Sequence, residues 1–191
     1  MVKRMKKRLL IGVSGASGAP IAVELLKQLQ KEELIESHLI VTRGGELTLE
    51  QETGLSLNAL RELADVYYDN HNIGARPASG SFQMEGMIIV PCSMKTVAGI
   101  VIGYSDNLLL RAADVTLKEQ RKLVLVTRES PLSTIHLKNM YELSQMGAVI
   151  MPPMLTYYNH PNEIGDCTAH TARRILRQFG LDKGGYEWEG M

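Results

Sequence analysis

The fold is decided in residues 8–30, which read RLLIGVSGASGAPIAVELLKQLQ. The apolar run from Arg8 to Val13 is typical of a buried strand, and the amphipathic stretch from Pro20 to Gln30 is typical of a helix. A turn of small residues joins them, GVSGASGAP at Gly12 to Pro20. A strand that passes directly into a helix predicts the first half of a parallel βαβ unit.

The same alternation continues along the chain. Further short, apolar strands are predicted at Asp65 to Tyr68, Ser37 to Val41, Met87 to Val90, Lys122 to Val126 and Ala148 to Met151. Amphipathic helices are predicted at Glu46 to Glu52, Leu57 to Leu63, Lys95 to Gly103, Leu108 to Arg121, Thr134 to Met146 and Thr168 to Phe179. Strands this apolar are covered on both faces. The pattern predicts a doubly wound, three-layer α/β fold with a parallel sheet of about six strands, in one domain over residues 1–191.

The composition excludes several classes of protein. Lys plus Arg equals Asp plus Glu at 21 each, which gives no electrostatic case for nucleic acid or an anionic membrane as the main partner. No apolar run approaches the roughly 20 residues that span a bilayer. The basic start of the chain runs into the first strand, so it is not a signal peptide and we assign it no function. Cys92 and Cys167 lie far apart, which fits a reducing cytoplasm.

The glycine-rich turn allows two interpretations. Its small residues let backbone N–H groups and the positive end of a helix approach a phosphate. It is neither G-x-G-x-x-G nor a Walker A loop, since no Lys follows its last Gly. The alternative is a tight strand-to-helix turn in which Ser17 is the N-cap of the helix. Both interpretations stay open on this motif alone.

Two further turns follow strands at the same predicted edge of the sheet. In PCSMKT, residues 91–96, the side chains of Ser93, Lys95 and Thr96 stand at a helix N-terminus suited to an anion. In LVLVTRESPLS, Arg128 can bind a phosphate while the Glu129 carboxylate moves a proton. A salt-bridged loop is the alternative for Arg128 and Glu129.

The remaining polar candidates have structural explanations. Arg111 and Lys118 lie seven residues apart on one helix face, so both can point at one phosphate or pair with acids such as Asp114 and Glu119. Cys92 follows an apolar strand, which favours an inert buried thiol. The potential ligands near the C-terminus match no standard metal spacing, so no metal is expected; they are His160, Asp166, Cys167 and His170.

Several stretches, in matching order, resemble the UbiX-type flavin prenyltransferases, in particular the branch associated with phenolic-acid decarboxylase operons. They are GVSGASG, SGSF at Ser79 to Phe82, PCSMKT, the long run from Asp106 to Met140, and PPM followed by YYNHP. The resemblance implies a Rossmann-like or flavodoxin-like fold, assembled as a homododecamer that binds FMN at subunit interfaces. It also implies metal-independent transfer of a dimethylallyl group from dimethylallyl phosphate, or from the diphosphate in some members, to N5 and C6 of reduced FMN. The prenylated FMN serves a UbiD-type decarboxylase.

The resemblance further implies roles for individual residues. For the flavin these are Gly15, Ala16, Ser17, Thr42, Ser93, Met94, Lys95, Thr96 and Arg128. Around the prenyl phosphate they are Arg111, Lys118, Glu129, Tyr158 and Arg174. Ser17 lies near N5 and relays a proton, Glu52 removes the proton from C6, and Trp188 closes the pocket. Gly44 and Gly45 make the approach to Glu52 more flexible than the family pattern leads us to expect.

Two other functions stay open at this point. One is a flavin-dependent cysteine decarboxylase of the same fold, although PCSMKT stands where those enzymes carry a PASANT-like motif and their methionine-rich substrate clamp has no clear match. The other is an FMN-binding module or a non-catalytic subunit of a decarboxylase complex. In that case Arg111, Lys118 and Glu129 are not needed for function.

Overall fold

A computed structural model of the chain describes residues 6–181, 184, 186–188 and 190. The strands are β1 Lys7–Val13, β2 Ile35–Val41, β3 Val66–Asp69, β4 Gly86–Cys92, β5 Lys122–Thr127 and β6 Val149–Ile150. The helices are α1 Ala19–Leu29, α2 Arg43–Thr53, α3 Leu57–Arg61, α4 Met94–Val101, α5 Leu108–Lys118, α6 Thr134–Gln145 and α7 Ile164–Arg177. Lys3 and Arg4 of the basic start lie outside the described residues.

The strands form one parallel sheet in the order β3-β2-β1-β4-β5-β6. The predicted fold class and the number of strands are therefore confirmed. The direction of winding reverses between β1 and β4, because β1 continues to β2 on one side while β4 continues to β5 on the other. In an open α/β sheet, the crevice at such a switch point, outside the carboxyl ends of the strands, is where ligands bind.

Alternate residues of the strands pack against opposite helical layers. Leu9, Ile11 and Val13 of β1 face a core shared with α1, α2, α3 and α7. Leu10 faces the other core, which the sheet shares with α4, α5 and α6. Burying each such Leu, Ile or Val side chain contributes about 1.5–3 kcal/mol. Helices α5 and α7 therefore lie on opposite faces of the sheet, a fact that governs how the site can be built.

The last helix begins four residues earlier than its hydrophobic pattern predicts. Asp166 Oδ2 accepts hydrogen bonds from the backbone N–H groups of Asn162 and Glu163, at 2.8 and 3.3 Å, and so caps the first turn. This polar turn carries no apolar periodicity, which is why the sequence pattern missed it. At 14 residues α7 is the longest described helix, and no helix in the described part of the chain is long and apolar enough to cross a membrane.

Candidate functional site

The turns after β1 and β2 touch each other through their backbones. The N–H of Thr42 donates to Val13 O at 2.9 Å, and Thr42 Oγ1 caps α2 by accepting from Gly45 N at 3.1 Å. A Cβ on Gly45 would lie 2.6 Å from Val13 O, and one on Gly15 would lie 3.0 Å from the Gly44 backbone. Gly44 and Gly45 therefore permit close packing of α2 against the β1 turn, and the greater flexibility expected of them stays a prediction.

Glu52, near the end of α2, reaches the N-terminus of α1. Its Oε2 accepts from the N–H groups of Gly18 and Ala19, at 2.9 and 2.8 Å. The N-cap residue of α1 is Gly18, so the interpretation of Ser17 as the N-cap is wrong. Gly18 has no side chain with which to cap the helix. The carboxylate supplies the missing acceptor, and negative charge is favourable at a helix N-terminus. Ser17 is exposed on the same turn, so the structure brings Ser17 and Glu52 together.

A buried serine joins the β1 and β4 turns across the switch point. Ser14 Oγ donates to Pro91 O at 3.0 Å and accepts from the N–H of Ser93 at 2.9 Å. Ser93 in turn caps α4 by accepting from Thr96 N at 3.3 Å. Sequence reasoning missed Ser14, and the only available signal was a serine placed directly after a buried strand. Because of this bridge the two turns, and the two helix N-termini behind them, face one crevice.

The residues of PCSMKT differ in what they can offer a ligand. Met94 and Thr96 are buried, so any contact from them comes through the backbone at the start of α4. Lys95 is exposed and can supply a cation. Cys92 is fully buried, and burial raises the pKa of its thiol, which agrees with the inert interpretation.

Arg128 and Glu129 follow β5 at the same edge. The N–H of Arg128 donates to Cys92 O at 3.1 Å, which places this loop beside the β4 turn. Within the described part of the chain the Arg128 guanidinium has no partner, and Glu129 Oε1 accepts only from the N–H of Ser130. The two side chains therefore do not form the salt-bridged loop of the alternative interpretation. The adjacent hydroxyl of Thr127 is buried and lacks a hydrogen-bond partner in the described chain.

This crevice has donors of the kind that a phosphorylated ligand requires. The N-terminus of α4 supplies N–H donors, the glycines of the β1 turn allow backbone approach, and Arg128 supplies a guanidinium with no partner among the described residues. The N–H groups of Gly18 and Ala19 at the start of α1 are already bound to Glu52. The residues able to hold such a group at this edge are Gly15, Ala16, Ser17, Thr42, Ser93, Lys95 and Arg128.

Arg111 and Lys118 lie elsewhere on the molecule. Arg111 pairs with Asp114 at 2.6 Å and also donates to Ala78 O, while Lys118 pairs with Glu119. The ion-pair alternative is thus confirmed within one chain. Helix α5 starts at the carboxyl edge of the sheet and descends about 16 Å over its 11 residues. Lys118 therefore lies near the amino edge, far from Ser17.

Tyr158 and Arg174 belong to a third location, on the outside of α7. The Tyr158 hydroxyl lies 3.3 Å from Nε2 of His170, and the rings of Tyr186 and Trp188 approach the Tyr158 ring at centroid distances of 5.5 and 6.1 Å. Arg174 follows His170 by one helical turn on the same face. Burial, and then the positive charges of Arg173, Arg174 and Arg177, lower the pKa of His170.

Two of the potential metal ligands near the C-terminus have other partners. Asp166 caps α7 and His170 contacts Tyr158. Among the residues that the structure describes, no three His, Cys, Asp or Glu side chains are grouped so as to hold a metal ion.

Comparison with known proteins gives consistent results. Residues 2–178 match the family model described as Flavoprotein. The chain is 50% identical over 185 residues to a probable UbiX-like flavin prenyltransferase of Streptomyces sp. (strain D7), covering 96% of this chain and 92% of that protein. It superposes on a dodecameric FMN-dependent UbiX-like decarboxylase from Escherichia coli O157:H7 with a TM-score of 0.94 at 48% identity, and on AnUbiX (PadA1) in complex with FMN and dimethylallyl pyrophosphate with a TM-score of 0.91 at 40% identity. Both superpositions cover 96% of this chain and 100% of the other.

Proposed function

This chain belongs to the UbiX-like flavin prenyltransferases, and from that premise we propose that it transfers a dimethylallyl group from dimethylallyl phosphate to reduced FMN. The observation that carries the proposal is the crevice between the β1 and β4 turns. There the N-terminus of α4, the exposed Ser17 and an Arg128 guanidinium without a partner in the described chain lie at one edge of the sheet, beside the Glu52 carboxylate. A crevice with only a structural role does not require several hydrogen-bond donors that point toward one anion.

The reaction sets definite demands on the protein. The allylic carbon–oxygen bond of the donor breaks, and phosphate leaves with the bonding electron pair. When bound, reduced FMN supplies the two nucleophilic atoms, N5 and C6, to which new bonds form. The two protons that these atoms lose pass to the alkene carbon of the donor and to the phosphate. An allylic, cation-like fragment needs a dry cavity, and its leaving phosphate needs converging cations.

The β1, β2, β4 and β5 turns hold the flavin nucleotide in this proposal. The backbone of Gly15 and Ala16 lies against the ring, and Arg128 pairs with the phosphate. Thr42 and the start of α4 at Ser93 to Thr96 bind the remaining polar groups. The exposure of Gly15 and Arg128 supports these roles. For Met94 and Thr96 we propose backbone contacts alone, since their side chains are buried.

Three residues handle protons. Ser17 relays the proton at N5, Glu52 takes the proton from C6, and Glu129 exchanges a proton with the phosphate. The contacts of Glu52 with Gly18 and Ala19 support its role, because they hold the carboxylate beside the Ser17 turn through Oε2, and Oε1 has no partner among the described residues. General acid–base groups of this kind contribute about 100- to 10,000-fold in rate.

The prenyl-phosphate site requires more than one copy of the chain. Lys118 lies near the amino edge on the α5 face, whereas Tyr158 and Arg174 lie on the α7 face, and the sheet separates the two groups. Lys118 does not reach the Ser17 turn within one chain. We therefore propose that neighbouring protomers bring Arg111, Lys118, Tyr158 and Arg174 to the crevice, in a dodecamer like that of the E. coli relative.

The product and the setting follow from the same proposal. Prenylated FMN leaves the enzyme for a UbiD-type decarboxylase, so this protein makes a cofactor and does not itself decarboxylate. We propose that residues 1–191 act as one catalytic domain in the cytoplasm, where Cys92 and Cys167 stay reduced, as both are free in the structure.

The decisive experiment is anaerobic incubation of the purified protein with reduced FMN and dimethylallyl phosphate, followed by mass spectrometry of the extracted flavin. A gain of one five-carbon unit is the expected result. Unmodified FMN with both the phosphate and the diphosphate donor would contradict the proposal. Carbon dioxide release from a cysteine-containing peptide would then favour the cysteine decarboxylase, and FMN binding without either reaction would favour a binding subunit.

A further inference from the structure

Tyr158 has its ring and its hydroxyl fixed by different partners. Tyr186 and Trp188 contact the ring, whereas the hydroxyl has one partner among the described residues, Nε2 of His170, at 3.3 Å. The Tyr158 side chain is 39% exposed and follows a segment without regular structure, but His170 is only 4% exposed and lies within α7. The rigid partner of this pair is therefore the histidine.

We propose that His170 is a positioning residue that fixes the direction of the Tyr158 hydroxyl. This inference rests on the proposed function, in which Tyr158 contacts the prenyl phosphate. The imidazole ring meets the Tyr158 ring edge-on, with centroids 5.9 Å apart and planes at 80°. His170 therefore restricts the orientation of both the Tyr158 ring and its hydroxyl. His170 does not touch the substrate itself.

The chemistry of a neutral imidazole explains how the hydroxyl is directed. A neutral histidine carries one N–H donor and one acceptor nitrogen. When Nε2 carries the hydrogen, it donates to the Tyr158 oxygen, and the phenolic hydrogen remains free for a phosphate oxygen. The low exposure of His170 and the nearby guanidinium groups of Arg173 and Arg174 favour this uncharged ring.

The positions of His170 and Arg174 on α7 allow the Tyr158 hydroxyl and the Arg174 guanidinium to contact one phosphate. His170 and Arg174 are four residues apart, so their side chains are neighbours on one helix face. A hydroxyl held by His170 and the guanidinium of Arg174 can then contact the same phosphate. Because Arg174 is exposed and has no hydrogen-bond or ion-pair partner among the described residues, it is available for that role.

The test compares substitutions that keep or remove the contact. His170→Gln places an amide near the position of Nε2, whereas His170→Asn has the same chemistry but is one methylene too short. His170→Phe keeps the edge-on ring and removes the hydrogen bond. We expect His170→Phe and His170→Asn to raise KM for dimethylallyl phosphate about five- to tenfold, from the loss of one oriented hydrogen bond, with KM for FMN unchanged. His170→Gln should have a KM for dimethylallyl phosphate close to that of the unsubstituted protein.

A double-mutant cycle shows whether His170 acts through Tyr158. Adding His170→Phe to Tyr158→Phe should change KM for the donor no further, since the hydroxyl is already absent. Tyr157→Phe is the matched control, because Tyr157 is 76% exposed and its hydroxyl has no partner in the described chain. It should behave as the unsubstituted protein.

The outcomes separate this inference from the proposed function. If the unsubstituted protein prenylates FMN but His170→Phe and His170→Asn leave KM for dimethylallyl phosphate unchanged, the inference about His170 is overturned and the proposed function stands. Additive effects in the double variant would also overturn it. Unsubstituted protein without turnover on either donor would overturn the proposed function and this inference with it. If His170→Phe fails to fold, KM for dimethylallyl phosphate in His170→Asn and His170→Gln is compared instead, and equal values for the two variants would overturn the inference.

Discussion

Glu52 illustrates how one side chain can serve both the fold and the site. Its Oε2 accepts from the backbone N–H groups of Gly18 and Ala19, so it caps α1 from another helix. A carboxylate fixed in this way cannot swing away from the Ser17 turn. The structural role and the proposed role as a base can be separated, because the cap needs only an acceptor oxygen whereas the base must take a proton.

Glu52→Gln should separate these two roles. The amide oxygen can still accept from Gly18 and Ala19, so we expect the free energy of unfolding to change by less than about 1 kcal/mol. Turnover should fall roughly 100-fold or more, because an amide cannot accept the proton from C6. Steady-state prenylation and urea unfolding measure the two effects. Glu50→Gln is the control on the same helix, and unchanged turnover of Glu52→Gln would remove Glu52 from the mechanism.

Glu129→Gln tests the other proposed proton carrier. The side chain is exposed and contacts only the N–H of Ser130 in the described chain, so the substitution should leave folding intact. We expect FMN affinity to be retained and prenyl transfer to drop by roughly 100-fold or more. Flavin fluorescence titration and mass spectrometry of the flavin product check the two expectations. Full turnover would exclude Glu129 from the chemistry.

At the level of secondary-structure elements, the packing of α2 against β1 determines the shape of the proposed flavin crevice. Gly44 and Gly45 form the first turn of α2, and the backbone of Gly15 contacts Gly44 directly. Helix α2 also carries Glu52 to its position at α1. A shift of this one helix would therefore move both the floor of the crevice and the proposed base.

Gly45→Ala should cause such a shift. The added Cβ would lie 2.6 Å from Val13 O, a backbone atom that cannot move aside. We expect a loss of about 1–3 kcal/mol in the free energy of unfolding. FMN affinity should also decrease, because α2 moves away from the β1 turn. Gly74→Ala is the control, since its Cβ would approach no atom closer than 3.7 Å. Equal stability of the two variants would show that the close approach is not required.

At the scale of the whole molecule, acid should weaken the fold through two buried histidines. Burial is the main cause that lowers the pKa of both His38 and His170. The charge of Arg8 lowers the pKa of His38 further, whereas Glu36 raises it. The charge of Arg173 lowers the pKa of His170 further. The unfolded chain therefore binds more protons than the folded chain once the pH falls below about 6.5. This contribution to stability is complete above that pH and is lost as the pH falls further.

Urea unfolding at pH 7.5, 6.5 and 5.5 should show this loss. We expect the free energy of unfolding to be similar at the two higher values and lower at pH 5.5. His170→Gln should reduce the slope, because one of the two titrating groups is gone. Stability that stays constant or rises from pH 7.5 to 5.5 would contradict the assignment of both shifts.

The proposed assembly of the site from several protomers predicts complementation. Glu129→Gln and Lys118→Ala subunits should each be inactive alone, because every site then lacks one group. In mixed oligomers formed by co-expression, some sites combine intact Glu129 from one subunit with intact Lys118 from a neighbour. Random mixing should restore about a quarter of the activity. No recovery in mixed oligomers of confirmed composition would mean that both residues act within one chain.

The sequence by itself determined the layers, the strands and the edge at which the proposed flavin site lies. Apolar runs alternating with amphipathic segments allow few arrangements other than a parallel α/β sheet, and turn residues such as Gly15 and Ser93 necessarily follow its strands. Only the tertiary structure decided that Ser14 joins two turns, that Glu52 and not Ser17 caps α1, and that α5 and α7 lie on opposite faces. These facts depend on contacts between residues 30 to 80 positions apart, and local periodicity carries no information about such contacts.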